Sequence, residues 1–135
     1  MDIVYEDKYQ RVCFDTAQSI MRFEVFENVG NLRESEYIDY VVKKGAEFIK
    51  KYKPQGILVA VQQFSLLFSL KGEQMVQNII IDAYRMANIK KLAIILPYNM
   101  IAQWTIFQMV EKEFEYSFQR RYFIDEQKAM QWLLE

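Results

Sequence analysis

The stretch that decides the fold is Ile57-Leu58-Val59-Ala60-Val61, a continuous apolar run directly after the turn residues Lys53-Pro54-Gln55-Gly56. A second run of this kind, Leu92-Ala93-Ile94-Ile95-Leu96, lies further along the chain and stops at Pro97. Short apolar runs that are rich in β-branched residues and bounded by turn residues are typical of strands buried on both faces. They predict two inner strands of a parallel sheet.

Helical patterns separate and follow these two strands. The pair Asn31 and Glu34 resembles a capping box and predicts a helix that ends before Gly56. Periodic apolar positions predict further helices over residues 73–87, with Asn88 as a left-handed residue after the last turn, and over residues 100–114. Asp125 is expected to cap a short C-terminal helix. The β-α-β spacing implies right-handed crossovers between parallel strands.

The first 27 residues predict three short strands instead of helices. Ile3-Val4-Tyr5 and Val12-Cys13-Phe14 are β-rich runs, and apolar and charged residues alternate from Met21 to Val25. We interpret them as an antiparallel meander. The whole order predicts one α/β domain over residues 1–135. It combines a mixed sheet, an N-terminal antiparallel meander, parallel inner strands and about four helices on the sheet faces.

The charge balance argues against a nucleic-acid-binding protein. The chain has 17 basic and 18 acidic residues, whereas phosphate contacts usually require a net basic balance. Five lysines cluster late in the first predicted helix, where cations suit the negative end of the helix dipole and a solvated face. We therefore expect no nucleic-acid partner. These lysines are Lys43, Lys44, Lys50, Lys51 and Lys53.

The chain has no histidine, one cysteine and only four glycines. Ser-His-Asp and Cys-His catalysis are therefore excluded in their usual forms, and so are typical structural zinc sites. No phosphate-binding glycine loop of the known patterns is present. Asp82 interrupts an apolar helical stretch and is a mild candidate for carboxylate chemistry, although a solvent-facing position is the simpler interpretation. We expect no enzyme activity, no metal and no cofactor.

The lone Cys13 cannot form an internal disulfide, which suits a reducing compartment. We expect its thiol to be buried and inert within a strand. The N-terminal residues do not have the pattern of a secretory leader, and the longest apolar runs are too short to span a membrane. We therefore expect a cytoplasmic protein without a membrane span.

Three stretches resemble the SpoIIAA-like (STAS-like) family of small α/β proteins. Two of them are Lys51-Tyr52-Lys53-Pro54-Gln55-Gly56-Ile57-Leu58-Val59 and Ala87-Asn88-Ile89-Lys90-Lys91-Leu92-Ala93-Ile94. The third is Tyr122-Phe123-Ile124-Asp125-Glu126-Gln127-Lys128-Ala129-Met130-Gln131-Trp132-Leu133, which is similar to the family's closing helix. Together with the N-terminal meander, the resemblance covers nearly the whole chain. It implies the family's fold and, more weakly, a regulatory role.

The antagonists of that family carry a phosphorylated serine in an Asp-Ser-Ser-Gly-like motif, at the start of the helix after the first inner strand. Ser69 is nearest to this position, and the resemblance makes it a candidate phosphosite. The sequence departs from the motif here. Phe68 replaces the preceding acid, and Leu70 and Lys71 interrupt the remainder.

Ligands of open α/β sheets tend to bind beyond the carboxyl ends of the parallel strands. Two predicted loops meet this description, at residues 62–72 and 97–99. The first is so apolar that it either folds back onto the core or forms an exposed patch for a partner or an apolar ligand. The candidate binding residues in and beside the two loops are Phe64, Ser65, Leu67, Phe68, Ser69, Tyr98, Asn99 and Trp104.

Two functions of different classes follow from these observations. The first is a non-catalytic regulatory or binding module that contacts a protein partner, or a second copy of itself, through the 62–72 loop. The alternative is a carrier or sensor of a small apolar or lipid-like ligand, which the resemblance also suggests because the family is similar to lipid-transfer domains. The many Phe, Tyr and Met side chains would suit an apolar pocket, and they would equally fill a core.

Overall fold

A computed structural model describes residues 1–60, 68–96 and 118–135. Six strands form one sheet in the order of the chain. The first three strands pair antiparallel, and the third to sixth strands pair parallel, so the predicted mixed α/β sheet is confirmed. The strands are β1 (Asp2–Glu6), β2 (Gln10–Asp15), β3 (Ile20–Val25), β4 (Gly56–Ala60), β5 (Lys91–Ile95) and β6 (Gln119–Phe123).

Three helices and a 3-10 turn (Glu27–Asn31) accompany the sheet in the described part of the chain. The first helix is continuous from α1 (Glu34–Tyr37) through a π-helical turn (Ile38–Val42) into α2 (Lys43–Tyr52). The other two are α3 (Leu70–Ala87) and α4 (Glu126–Leu133). The helix predicted over residues 100–114 lies outside the described residues. None of the described helices is long and apolar enough to cross a lipid bilayer.

Two predicted helix starts are wrong. Asn31 ends the 3-10 turn, and Arg33 takes the N-cap position of α1. Glu36 contributes to this cap, because its carboxylate accepts a hydrogen bond from the Arg33 N–H at 2.9 Å. The hydrogen bonds from Arg33 lower the pKa of the Glu36 carboxyl. The second helix begins at Leu70 instead of Glu73, because Ser69 caps it. The apolar residues before Gly72 resemble a loop in the sequence, whereas Leu70 and Lys71 already lie in the first turn of the helix.

The two faces of the sheet carry separate apolar cores. On one face, α2 and α3 pack against side chains such as Phe23, Ile57 and Leu92. On the other face, α4 covers Leu58 and Ala93. The central strands are therefore buried on both sides, as their apolar sequences predict. The buried side chains of α4 are Ala129, Trp132 and Leu133, and they confirm the predicted inward face of that helix.

Polar contacts at both ends fix α4 on the sheet. Asp125 caps the helix by accepting from the Gln127 N–H at 2.8 Å, as predicted. Glu126 accepts from the guanidinium of Arg22 on β3, with the shortest contact at 2.7 Å. At the other end, the Lys91 ammonium donates to the main-chain oxygens of Trp132 and Glu135, and it lies over the Trp132 ring. These bonds complement the helix dipole at both termini.

Several local predictions are also confirmed. Asn88 adopts the left-handed conformation after α3, with φ 57°, and Ile89 is buried beside it. Cys13 is buried within β2. The lysines of α2 lie on its solvent side, where Lys43 pairs with Asp39 at 3.0 Å and Lys50 pairs with Asp82 at 3.1 Å.

The π-helical turn is held by a buried side chain from the sheet. Gln10 begins β2, and only 1% of its surface is exposed. Its Nε2 donates to the carbonyl of Val41 inside the turn at 3.1 Å. A π turn inserts one extra residue into a helix and widens its hydrogen bonding. Side chains before and after it, Tyr37 and Ile49, are buried in the same core, and Glu34 reaches the start of α3.

We expect Gln10→Met to destabilise the fold by about 1–3 kcal/mol, because it keeps the side-chain volume but leaves the Val41 carbonyl buried without its donor. Urea unfolding followed by circular dichroism measures the change. The matched control is Gln18→Met on an exposed turn, which we expect to change stability by less than about 0.5 kcal/mol. Equal effects of the two substitutions would contradict a structural role for the Gln10 amide.

Candidate functional site

The structure describes two of the eight candidate binding residues. Phe68 and Ser69 lie in the described part of the chain, directly before α3. The other six lie outside the described residues, so the two predicted loops are not seen together. These six are Phe64, Ser65, Leu67, Tyr98, Asn99 and Trp104.

Phe68 folds back onto the core. Its ring meets Tyr37 of α1 edge-on, with the centroids 5.4 Å apart. Tyr37 is itself buried, and this burial raises the pKa of its hydroxyl. For Phe68 itself, packing against the core is therefore the arrangement that the structure shows.

Ser69 caps the N-terminus of α3. Its extended backbone precedes the first helical turn, and its Oγ accepts from the Gly72 N–H at 3.0 Å. Serine is one of the preferred residues at this position because its hydroxyl satisfies a backbone donor that lacks an intrahelical acceptor. Ser69 is exposed, so the cap lies at the protein surface.

Glu34 of α1 reaches across to the same helix start. One carboxylate oxygen accepts from the Ser69 N–H at 2.5 Å, and the other accepts from the Ser69 hydroxyl at 2.8 Å. The negative charge therefore lies at the positive end of the α3 dipole, where it is favourable. This contact ties α1 to α3 and fixes where the 62–72 segment ends. We call it the Glu34–Ser69 clamp.

Gly72 leaves the space that the clamp needs. A β-carbon at this position would lie 2.1 Å from Glu34 Oε1, a distance at which the carboxylate must move away. Glycine inside a helix normally costs about 1 kcal/mol relative to alanine. Its presence in the first turn of α3 is therefore explained by the close approach of Glu34.

A surface groove of about 350 Å³ opens beside the clamp, between the first helix and α3. Met75 lines the groove and is 42% exposed. Leu70, the first residue of α3, is 76% exposed and is not among the lining residues. The groove is lined by Glu34, Ser35, Ile38, Asp39, Ser69, Lys71, Gly72 and Met75.

A second groove of about 440 Å³ lies further along the same pair of helices. Its lining includes Lys50 and Asp82, which form an ion pair across it. Asp82 is exposed, so the solvent-facing interpretation of this residue is confirmed. In residues 1–60, 68–96 and 118–135, no three Asp, Glu or Cys side chains are grouped so that they could hold a metal ion.

Comparison of the chain with protein-family models, with curated proteins and with solved structures gave no match. The resemblance to the SpoIIAA-like family therefore stays a prediction from the quoted stretches. The candidate site is defined by its own geometry, namely the Glu34–Ser69 clamp, the groove beside it and the exposed start of α3.

Sequence reasoning missed three residues of this site. Glu34 was assigned to a capping box with Asn31, and Leu70 and Gly72 were counted as loop. Two signals could have found them. A serine three residues before Gly72 is a helix cap in its own right, and a glycine inside a predicted first turn often marks close approach by another group.

We expect Gly72→Ala to destabilise the fold by about 1 kcal/mol, because its methyl group expels Glu34 and the bonds of the clamp are lost. In the Glu34→Ala background the same substitution should instead stabilise by up to about 1 kcal/mol, since alanine is the better helix former. Urea unfolding of the four variants gives this cycle. An effect of Gly72→Ala that has the same sign in both backgrounds would contradict the clamp.

Phosphorylation or negative charge at Ser69 should oppose the clamp, because it would bring two anions together. We expect Ser69→Asp to destabilise by about 1 kcal/mol relative to Ser69→Asn, since Asp and Asn cap helices about equally but only Asp repels Glu34. Thermal unfolding at neutral pH and low salt measures the difference. Adding Glu34→Gln should abolish it, and persistence of the difference in that background would assign it to another cause.

Proposed function

We propose that the chain is a non-catalytic regulatory or binding module that contacts a protein partner through the segment 62–72. The observation that carries this proposal is the exposure of Leu70 at the described end of that segment. At this end of the segment, Phe68 packs against the core and Leu70 is exposed to solvent. Exposed apolar surface that continues from an apolar segment is a candidate contact surface.

The fixed backbone at the start of α3, which carries Leu70, favours the same proposal. Leu70 begins an eighteen-residue helix whose start is capped by Ser69 and tied to α1 by Glu34. A side chain on such a start loses little conformational freedom when a partner binds, because the backbone is already fixed. Kinship with the SpoIIAA-like family would suit this role, and it belongs to the proposal. A negative charge on Ser69 would repel Glu34 and so weaken the contact between α1 and the start of α3.

A carrier of a small apolar or lipid-like ligand remains the alternative. The groove beside the Glu34–Ser69 clamp has a charged lining, with Glu34, Asp39 and Lys71 among its residues. Ligand pockets for apolar molecules are lined mainly by hydrophobic side chains. The described part of the site therefore favours a protein contact over an enclosed apolar ligand.

The test places a photo-crosslinking amino acid at position 70 of the full chain in the cells that produce it. We expect a discrete protein adduct that mass spectrometry identifies, and the purified partner should bind the wild-type chain at least about tenfold more tightly than Leu70→Ser, because truncation of a central apolar contact costs more than about 1 kcal/mol. An adduct with a second copy of the chain would make self-association the contact.

The matched control uses position 86. Met86 lies near the other end of α3 and is 56% exposed, so it offers a similar apolar side chain away from the candidate site. We expect no adduct there and no effect of Met86→Ser on binding. Equal binding by wild-type chain and Leu70→Ser would overturn the proposal. A co-purified small molecule in native mass spectrometry, with no protein adduct, would support the carrier instead.

A further inference from the structure

We draw no further inference here: the strongest candidate, the surface patch of exposed lysines Lys51, Lys53 and Lys90 at the amino ends of β4 and β5, lies at the carboxyl ends of α2 and α3, where the helix dipoles already favour cations, and nothing in the structure shows what covers it.

Discussion

The structure depends on covering the central strands on both faces. β4 and β5 are apolar except for Lys91 at the start of β5, so both of their faces must be shielded from water. On one face this is done by α2 and α3, and on the other by α4. Since parallel strands need crossover helices, the connections between them supply the first cover. The second face requires an additional helix, and the ion pair between Arg22 and Glu126 helps to hold it there.

The same requirement explains the unusual first helix. Its C-terminal half must present Ala46 and Ile49 to the core, while its N-terminal half must reach the start of α3. The π-helical turn between the halves inserts one extra residue, and residues on both sides of it are buried in the same core. Gln10 stabilises the turn from within the sheet. Gln10 of β2 therefore contacts the same helix whose first turn carries Glu34 of the candidate site.

The sequence predicted the strands better than the helix starts, for physical reasons. Apolar runs and alternation report burial directly, so β4, β5 and the meander were recognised. Asn88 and Asp125 were recognised because their conformations depend on neighbouring backbone alone. Glu34 was misassigned because its partner, Ser69, lies far along the chain. Local patterns cannot identify such a contact, and Asn31 offered a plausible neighbour of the kind that capping boxes use.

The start of α3 concentrates residues that a free helix would not choose. Gly72 weakens the first turn, Lys71 opposes the dipole, and Leu70 exposes apolar surface to water. Gly72 is explained within the chain, because Glu34 occupies the space of its missing side chain. Leu70 has no such internal explanation among the described residues. Its exposed position on a capped helix start that Glu34 ties to α1 is the reason to look for its contact in a partner.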